Sequence, residues 1–312
     1  MKKVLLAAAV IMVFSAANIL AGGTGTTALE FLKFDIGARP LGMGGAYAAV
    51  SDDINALSFN PGGLTQIRKK EASFTHIESF QSIRFESLGY VHPINKTNVI
   101  GGSLMLLSSG DMAAYNDFDE LQAEEVSASD LAMTASYCNS ALYENLSIGG
   151  TVKVISERLD NEGALGVALD AGALYKVDDM LTTAVVLQNI GFGVRFVDTR
   201  NAMPMNMKLG IAARLLDKKQ LTLASDMNLA LADGISLCFG GEYIINDMFA
   251  VRLGLRTKTM YDLGLFSGIS FGLGFSKGFT SGRSDIQTGI DYAFAPYGEL
   301  GAAHRISLYM KL

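Results

Sequence analysis

Residues 205–215, MNMKLGIAARL, alternate between two kinds of side chain. The apolar positions are Met205, Met207, Leu209, Ile211, Ala213 and Leu215, and the small or polar positions are Asn206, Lys208, Gly210, Ala212 and Arg214. Successive side chains of a β-strand point to opposite faces. A transmembrane strand shows its apolar face to lipid and its polar face to the lumen of a barrel. The stretch therefore predicts one strand of a membrane-spanning barrel.

The same alternation recurs throughout the chain after residue 70. It defines fourteen segments: 71–80, 83–92, 97–109, 128–138, 146–157, 165–176, 181–189, 205–215, 220–230, 235–244, 248–257, 265–277, 285–294 and 304–312. Transmembrane strands need about 9–11 residues, and bacterial barrels have an even number of strands. We predict an all-β fold, a 14-stranded antiparallel transmembrane β-barrel over residues 71–312. A soluble sandwich is the alternative, but its polar face would carry more Lys and Glu.

The composition supports a barrel over other classes. Of 312 residues, 49% are hydrophobic and 18% are charged, against about 25% charged in an average soluble protein. Beyond the first 21 residues no run of about 20 apolar residues exists, which excludes a helical membrane protein. The net charge of −6 argues against a nucleic-acid partner, because phosphate binding needs clustered Lys and Arg.

Residues 1–21 have the pattern of a secretory signal peptide. Lys2 and Lys3 precede an apolar core at 4–14, and small residues follow it. A membrane anchor is the alternative, but the apolar run is too short to span. We expect the mature chain in the outer membrane of a Gram-negative-type bacterium. Export would permit a disulfide, but Cys138 and Cys238 lie far apart in strand-like runs and are expected to be buried as small apolar residues.

The lengths of the connections suggest an orientation. The long ones, 110–127, 190–204 and 295–303, all fall at one end of the predicted barrel, as extracellular loops do. The connection at 110–127 is acidic; its carboxylates are Asp111, Asp117, Asp119, Glu120, Glu124 and Glu125. A solvated loop explains them better than a contact with a partner or a cation.

Residues 37–66, GARPLGMGGAYAAVSDDINALSFNPGGLTQ, differ from the strands that follow. Asp52 or Asp53 can cap a short helix over 54–59, because a carboxylate accepts the free N–H groups of a first turn. Asn60 can cap a second turn with Pro61 at its first position, and Gly62 ends it. Such short pieces cannot bury a core of their own. We therefore predict a plug over residues 22–70 that packs inside the barrel.

Several charged residues fall on strand positions that face the predicted lumen. They are Lys208, Arg214, Asp226, Glu242, Arg252, Arg256, Arg305 and Lys311. An ion-paired network that holds the plug is preferred over a selectivity filter, because a narrow lumen penalises an unpaired charge. No catalytic arrangement is recognisable, since the three His residues lie on separate strands. We expect no enzyme, no metal and no cofactor, and capping by Asp52 and Asp53 instead of acid/base work.

At the plug the sequence resembles the FadL-type outer-membrane barrels, and within them the PorV/PorQ family. The positions that resemble the FadL-type hatch are Gly42, Gly44, Ala46, Tyr47, Asp52, Asp53, Asn60, Pro61, Gly62, Gly63 and Leu64. Those that match the PorV/PorQ pattern are Gly37-Ala38-Arg39 and Gly42-Met43-Gly44-Gly45-Ala46. Shorter likenesses continue at 187–191, 226–228, 241–243 and 303–308. Gly62 stands where that family has Ala, and the chain ends in Leu312 instead of an aromatic residue.

The resemblance implies a fourteen-stranded barrel with an N-terminal hatch, and one of two functions. PorV-like proteins bind the C-terminal β-domain of secreted cargo proteins and carry the cargo to the type IX secretion machinery. This function is the preferred expectation. FadL-like proteins instead let hydrophobic small molecules cross the outer membrane. Outer-membrane lipid is a partner in both cases.

Overall fold

The computed structural model describes residues 27–79, 83–115, 121–160, 162–196, 199–216, 219–281 and 284–312. The predicted signal peptide lies outside these ranges. The strands are β1 (Glu71–Glu78), β2 (Arg84–Pro93), β3 (Asn98–Tyr115), β4 (Leu121–Tyr143), β5 (Leu146–Leu159), β6 (Glu162–Lys176), β7 (Leu181–Gly191), β8 (Val194–Phe196), β9 (Thr199–Asn201), β10 (Asn206–Leu215), β11 (Leu221–Ala230), β12 (Gly234–Ile245), β13 (Phe249–Arg256), β14 (Ile269–Ser281), β15 (Ser284–Pro296) and β16 (Ala302–Lys311).

Fourteen of these strands form one closed antiparallel barrel, which confirms the predicted fold class. Each strand pairs with its neighbour in sequence, except that β10 follows β7, and β16 closes the barrel against β1. The strands β8 and β9 form a separate two-stranded hairpin within the connection between β7 and β10.

Three sequence predictions need correction. Most of the predicted loop at 110–127 is strand, because β3 runs on to Tyr115 and β4 begins at Leu121; the register shifts between Ser108 and Asp111. Such a bulge changes which face each residue takes, so the alternation no longer marks the strand. Asp111, Glu124 and Glu125 therefore lie on strands, and Asp117, Asp119 and Glu120 lie outside the described residues.

The other two corrections concern strand ends. The segment predicted to begin at residue 265 begins as a strand only at Ile269, since a short helix α3 (Thr257–Leu263) and a 3-10 turn (Leu265–Gly268) precede it. The connection predicted at 295–303 is shorter, because β15 continues to Pro296 and β16 starts at Ala302.

The two ends of the barrel differ. We call the end where β1 begins and β16 finishes the terminal end; Glu71 pairs there with Lys311. The opposite end is the loop end, which carries the connections at 192–205 and 257–268. The connections at the terminal end are short, as at 144–145 and 246–248. Long connections at one end are thus found at 192–205, as predicted, and at 257–268, which was not predicted.

The barrel wall has an apolar outer surface. On neighbouring strands Leu253 is 56% exposed and Leu273 is 57% exposed, whereas the inward Arg252 and Gly272 are buried. Exposed apolar area of this extent requires a covering, and the hydrocarbon core of a membrane provides one. Across the described ranges, no helix combines the length and the apolar character needed to span a membrane.

The interior is filled by residues 35–67, which we call the luminal segment. It contains α1 (Ala38–Gly42), α2 (Ala56–Phe59) and a 3-10 helix (Pro61–Gln66). Its backbone touches walls on opposite sides: a side chain at Gly254 would collide with the backbone of Gly44, and one at Gly149 with the backbone of Pro61. Glycine on the wall thus permits backbone-to-backbone packing.

The segment crosses the whole lumen. Ahead of it, a 3-10 turn (Glu30–Lys33) lies at the loop end, where Thr27 forms a β-bridge with Ala202. Glu71, at the start of β1, lies at the terminal end. The turn at 61–66 is capped by Asn60, whose Oδ1 accepts from the Gly62 N–H at 2.9 Å. It continues through Gly62 and Gly63 to Gln66, so the prediction that these glycines end it was wrong.

Candidate functional site

Arg39 in α1 is the centre of a cluster of charges inside the barrel. Its Nη1 donates to Asp52 Oδ1 at 2.6 Å and to Asp53 Oδ2 at 2.8 Å, and also to the Tyr47 hydroxyl at 2.8 Å. Its Nε and Nη2 donate to both carboxylate oxygens of Glu242 on β12, at 2.8 and 2.7 Å. The planar guanidinium matches this two-point geometry. Arg39 therefore ties the luminal segment to the wall.

The cluster continues along the wall on both sides. Glu242 also accepts from Arg252 Nε at 2.6 Å, and Arg252 Nη1 donates to Asp291 at 2.6 Å. On the other side Arg214 Nη2 donates to Asp52 Oδ2 at 3.0 Å. Carboxylates and guanidinium groups thus alternate, so that each buried charge has an opposite neighbour, which burial requires.

These contacts shift the pKa values of the luminal segment. Burial acts to raise the pKa of Asp52, but the charges of Arg39 and Arg214 outweigh it and hold that pKa well below its usual range. Burial acts to lower the pKa of Arg39, and the surrounding carboxylates, Asp52 first, raise it well above its usual value. Burial raises the pKa of Tyr47 well above its usual value, so its hydroxyl stays neutral while it accepts from Arg39. Asp52 and Arg39 are therefore both ionised at neutral pH.

A second cluster lies nearer the loop end, around Asp35. Its carboxylate forms an ion pair with Arg256 and lies 3.7 Å from Lys208 Nζ, and its carbonyl accepts from Arg305. Three wall cations therefore converge on one residue of the luminal segment. Lys208 Nζ also lies 4.6 Å from the ring centroid of Phe59, a cation–π distance.

Asp226 on β11 holds the backbone of the luminal segment directly. Its Oδ2 accepts from the N–H groups of Tyr47 and Ala48, both at 2.8 Å, and the residue is fully buried. A carboxylate that accepts backbone N–H groups acts like a helix cap supplied from another part of the chain.

The structure divides the predicted residues between these groups. The motif residues Gly42, Gly44, Gly45, Asp52, Asp53, Asn60, Pro61 and Gly62 all lie in the luminal segment, and all except Asp52 are buried. Arg214, Glu242 and Arg252 surround Arg39, whereas Lys208, Arg256 and Arg305 surround Asp35. Asp53 accepts from the Asn55 N–H at 2.9 Å just before α2, while Asp52 makes ion pairs instead of a cap.

Sequence reasoning missed three participants. Asp35 and Asp291 were not singled out, and Arg39 was noted only as part of a motif. Asp291 could have been found, since it shares the inward face of β15 with Ala293, which is buried against Leu41. Asp35 could not have been found in this way, because it lies before α1 and outside any strand, where no alternation marks an inward face.

Two cavities flank the luminal segment and have no lining residue in common. The loop-end cavity measures about 370 Å³ and includes Phe34, Met205, Asn206, Lys208, Asn228 and Ser236 in its lining. The terminal-end cavity measures about 170 Å³ and includes Arg39, Glu71, Glu242, Tyr309 and Lys311. Among the described residues, the luminal segment thus has one cavity toward the loop end and another toward the terminal end.

Within the described ranges, no group of three or more His, Cys, Asp or Glu residues is placed to hold a metal ion. Cys138 and Cys238 are free thiols, and both are buried. Cys138 Sγ lies 3.4 Å from the carbonyl oxygen of Gly62, against the luminal segment.

A closed fourteen-stranded barrel filled by its own N-terminal segment is the architecture of FadL-like outer-membrane proteins. The toluene transporter TbuX of Ralstonia pickettii superposes with a TM-score of 0.62 at 12% identity, covering 88% of this chain and 97% of that one. The toluene transporter TodX of Pseudomonas putida gives 0.60 at 12%, covering 93% and 97%. A FadL homologue of Pseudomonas aeruginosa gives 0.58 at 15%, covering 93% and 99%. At these identities the likeness establishes the fold.

The chain belongs to the family described as "Uncharacterised protein family (UPF0164)", whose model matches residues 7–214. No curated protein matches the sequence. The PorV/PorQ branch is named by neither the family nor these structures, and that assignment stays a prediction.

Proposed function

We propose that the protein is a non-catalytic outer-membrane channel that lets hydrophobic small molecules cross passively. The observation that carries this proposal is the pair of separate cavities on either side of the luminal segment. A lumen open at each end and closed in the middle is the arrangement of a gated path. Two proteins with the same fold, TbuX and TodX, are described as toluene transporters.

The loop end faces the outside of the cell and the terminal end faces the periplasm. Short periplasmic turns and longer extracellular loops are general in such barrels. In this orientation the solute first enters the loop-end cavity. Its volume falls in the range of about 300–1,000 Å³ that is usual for ligand pockets. At this end Ala202 of the connection at 192–205 is held against the residues that precede the luminal segment, because the Ala28 N–H donates to the Ala202 carbonyl at 3.0 Å.

The luminal segment acts as the plug in this proposal. Residues 43–51 are buried and line neither cavity, so they block the path while they are in place. The ion pairs of Arg39 with Glu242 on β12 and of Asp35 with Arg256 on β13 hold the segment against neighbouring strands of the wall. Passage requires that part of it move, and a concentration gradient supplies the driving force.

The transporter replaces the cargo shuttle as the preferred function. A shuttle that binds a β-domain by strand addition needs a free strand edge. In the described barrel wall every strand is paired on both sides, and only the small β8–β9 hairpin lies outside the barrel.

The test is uptake of radiolabelled toluene by Gram-negative cells that lack other channels of this class. The lipopolysaccharide outer membrane of such cells must be intact, because toluene crosses a simple phospholipid bilayer unaided. Cells that express the protein should take up toluene faster than cells with an empty vector. Equal uptake, together with co-purification of secreted proteins that share a C-terminal β-domain, would favour the shuttle.

A matched variant tests the role of the luminal segment. A Cβ placed on Gly210 would lie 3.0 Å from Ala48 Cβ and 2.7 Å from Asp226 Oδ1. Because a disulfide needs a Cβ–Cβ distance of about 3.5–4.5 Å, the segment must move back by about 0.5 Å for the bond to form. The double variant A48C/G210C is made with Cys138 and Cys238 replaced by Ala. Oxidation should stop uptake, and a reductant should restore it. Full uptake in the oxidised variant would show that the segment does not gate the path.

A further inference from the structure

We propose that the loop-end cavity binds a small neutral molecule that carries at least two hydrogen-bond donors on an apolar body. This inference deepens the proposed transport function by giving the solute a chemical class. It rests on the polar atoms that line the cavity and on the charges around them.

Three polar oxygens in the lining lack a strong hydrogen-bond partner in the described part of the chain. They are Asn206 Oδ1 on β10, Asn228 Oδ1 on β11 and Ser236 Oγ on β12, each shielded from solvent. Ser236 has only the weak thiol partner Cys238. Buried polar atoms are nearly always paired, because an unpaired one keeps its full desolvation cost. Three such atoms in one cavity indicate that a bound molecule forms the hydrogen bonds that the chain does not supply.

Strand register places these atoms together. Asn228 lies opposite Lys208 on β10 and opposite Ser236 on β12, so the three inward side chains form one row across neighbouring strands. Asn206 is two residues before Lys208 on the same inward face, diagonal to Asn228. Adjacent inward side chains on paired strands lie about 4.5–5.5 Å apart. This spacing lets one small molecule bridge two of them when the side chains turn their shielded oxygens toward the cavity.

The charges of the cavity are already paired. Lys33 lies 2.8 Å from Asp233, and Lys258 lies 2.8 Å from Asp262. Arg256 and Lys208 share Asp35, and Lys208 also interacts with the charge of Asp226. A charged ligand would have to displace one of these partners. A neutral ligand that donates hydrogen bonds satisfies the unpaired acceptors without disturbing any ion pair.

The rest of the lining supplies apolar contacts. Leu32, Phe34, Met205 and Leu263 line the same cavity. Its volume of about 370 Å³ is near the lower limit for ligand pockets. A single substituted ring fits such a space better than a long acyl chain.

The inference separates two classes of solute. An aromatic hydrocarbon offers no donor and would leave Asn206, Asn228 and Ser236 unpaired. A dihydroxylated ring satisfies two of them. A site built to pair with a hydroxyl rejects the analogue that lacks it more strongly than an apolar pocket rejects an added hydroxyl.

The experiment compares two matched probes, catechol and its dimethyl ether, 1,2-dimethoxybenzene. Binding to the detergent-purified full chain is measured by isothermal titration calorimetry. Catechol should bind at least about tenfold more tightly, the effect expected for one satisfied buried acceptor. The variant N228L/S236A should bind the two probes with similar affinity. The variant S225A, on the outward face of β11, should keep the preference.

Folding of each variant is checked by the shift in electrophoretic mobility on heating that intact barrels show. If N228L/S236A does not fold, N206A replaces it and should reduce the preference. Equal binding of the two probes to the wild-type protein would overturn the inference, since water would then satisfy the acceptors. Toluene uptake without a preference for catechol would leave the transport function standing. A preference in binding without uptake of either compound would contradict only the transport function.

Discussion

Arg39 on the luminal segment and Glu242 on β12 form a two-point ion pair, with Nε to Oε2 at 2.8 Å and Nη2 to Oε1 at 2.7 Å. The side chain of Glu242 is 1% exposed and that of Arg39 is 13% exposed. The pair joins residues 203 positions apart in sequence, and so fixes the segment to a wall strand that lies far along the chain.

The substitution Arg39→Ala should release the segment from this wall. It leaves Glu242, Asp52 and Asp53 with fewer cations, and breaking a buried pair typically costs about 3–5 kcal/mol. The readout is maleimide labelling of Cys138, which lies against Gly62 of the segment. Labelling of Cys138 should be faster than in the wild type. The barrel should keep the shift in electrophoretic mobility on heating that shows it is folded. The control Arg39→Lys, which keeps the charge, should label at an intermediate rate; a rate equal to wild type in Arg39→Ala would contradict the anchoring role.

The double substitution Asp52→Ala with Asn60→Ala should loosen the segment without abolishing the barrel. Asn60 caps the 3-10 turn and also donates to the Ala48 carbonyl at 2.8 Å. Loss of such a cap costs about 1 kcal/mol, and Asp52 loses its pairs with Arg39 and Arg214. Protease cleavage of the N-terminal segment in detergent should increase. Unchanged protection would count against the assignment of these residues to a plug.

The substitution Gly254→Ala should displace the segment by steric collision. A Cβ there would meet the backbone of Met43 and Gly44, and backbone cannot rotate away as a side chain can. We expect a lower thermal unfolding midpoint and faster labelling of Cys238, which is packed in the same cluster as Met43. Gly278→Ala is the matched control, because a Cβ there meets nothing within 4 Å. Equal thermal unfolding midpoints for the two variants would show that the luminal segment shifts enough to accommodate the added methyl group.

The contribution of Asp52 to stability should persist in mild acid. Its pKa is lower in the folded than in the unfolded chain, where it is about 3.9. A group with a lowered folded pKa stabilises the fold above its unfolded pKa, and this stability is lost only as the pH falls through the folded pKa. The difference in thermal midpoint between wild type and Asp52→Asn should therefore be constant from pH 7 to pH 5. A difference that disappears near pH 6 would contradict the strong pairing with Arg39 and Arg214.

The strands could be located from the sequence because their signal is local. Met205 to Leu215 alternate in the sequence and in the structure, where Lys208 and Gly210 are buried and Ile211 is exposed. Lipid outside and polar lumen inside impose this pattern on each strand separately. The number and order of strands follow, since neighbours in sequence pair across short turns. The pattern failed where a bulge between Ser108 and Asp111 interrupts it.

The sequence also indicated that residues 37–66 pack inside another structure, because their helices are too short to be stable alone. Only the tertiary structure decided how they pack. The pairing of Arg39 with Glu242, and of Asp35 with Arg256, depends on how the closed barrel surrounds the segment. Charge partners across a lumen share no spacing in sequence, so no local pattern encodes them. The group formed by Asn206, Asn228 and Ser236 also depends on tertiary structure. It exists only because β10, β11 and β12 align beside a cavity that the luminal segment does not fill.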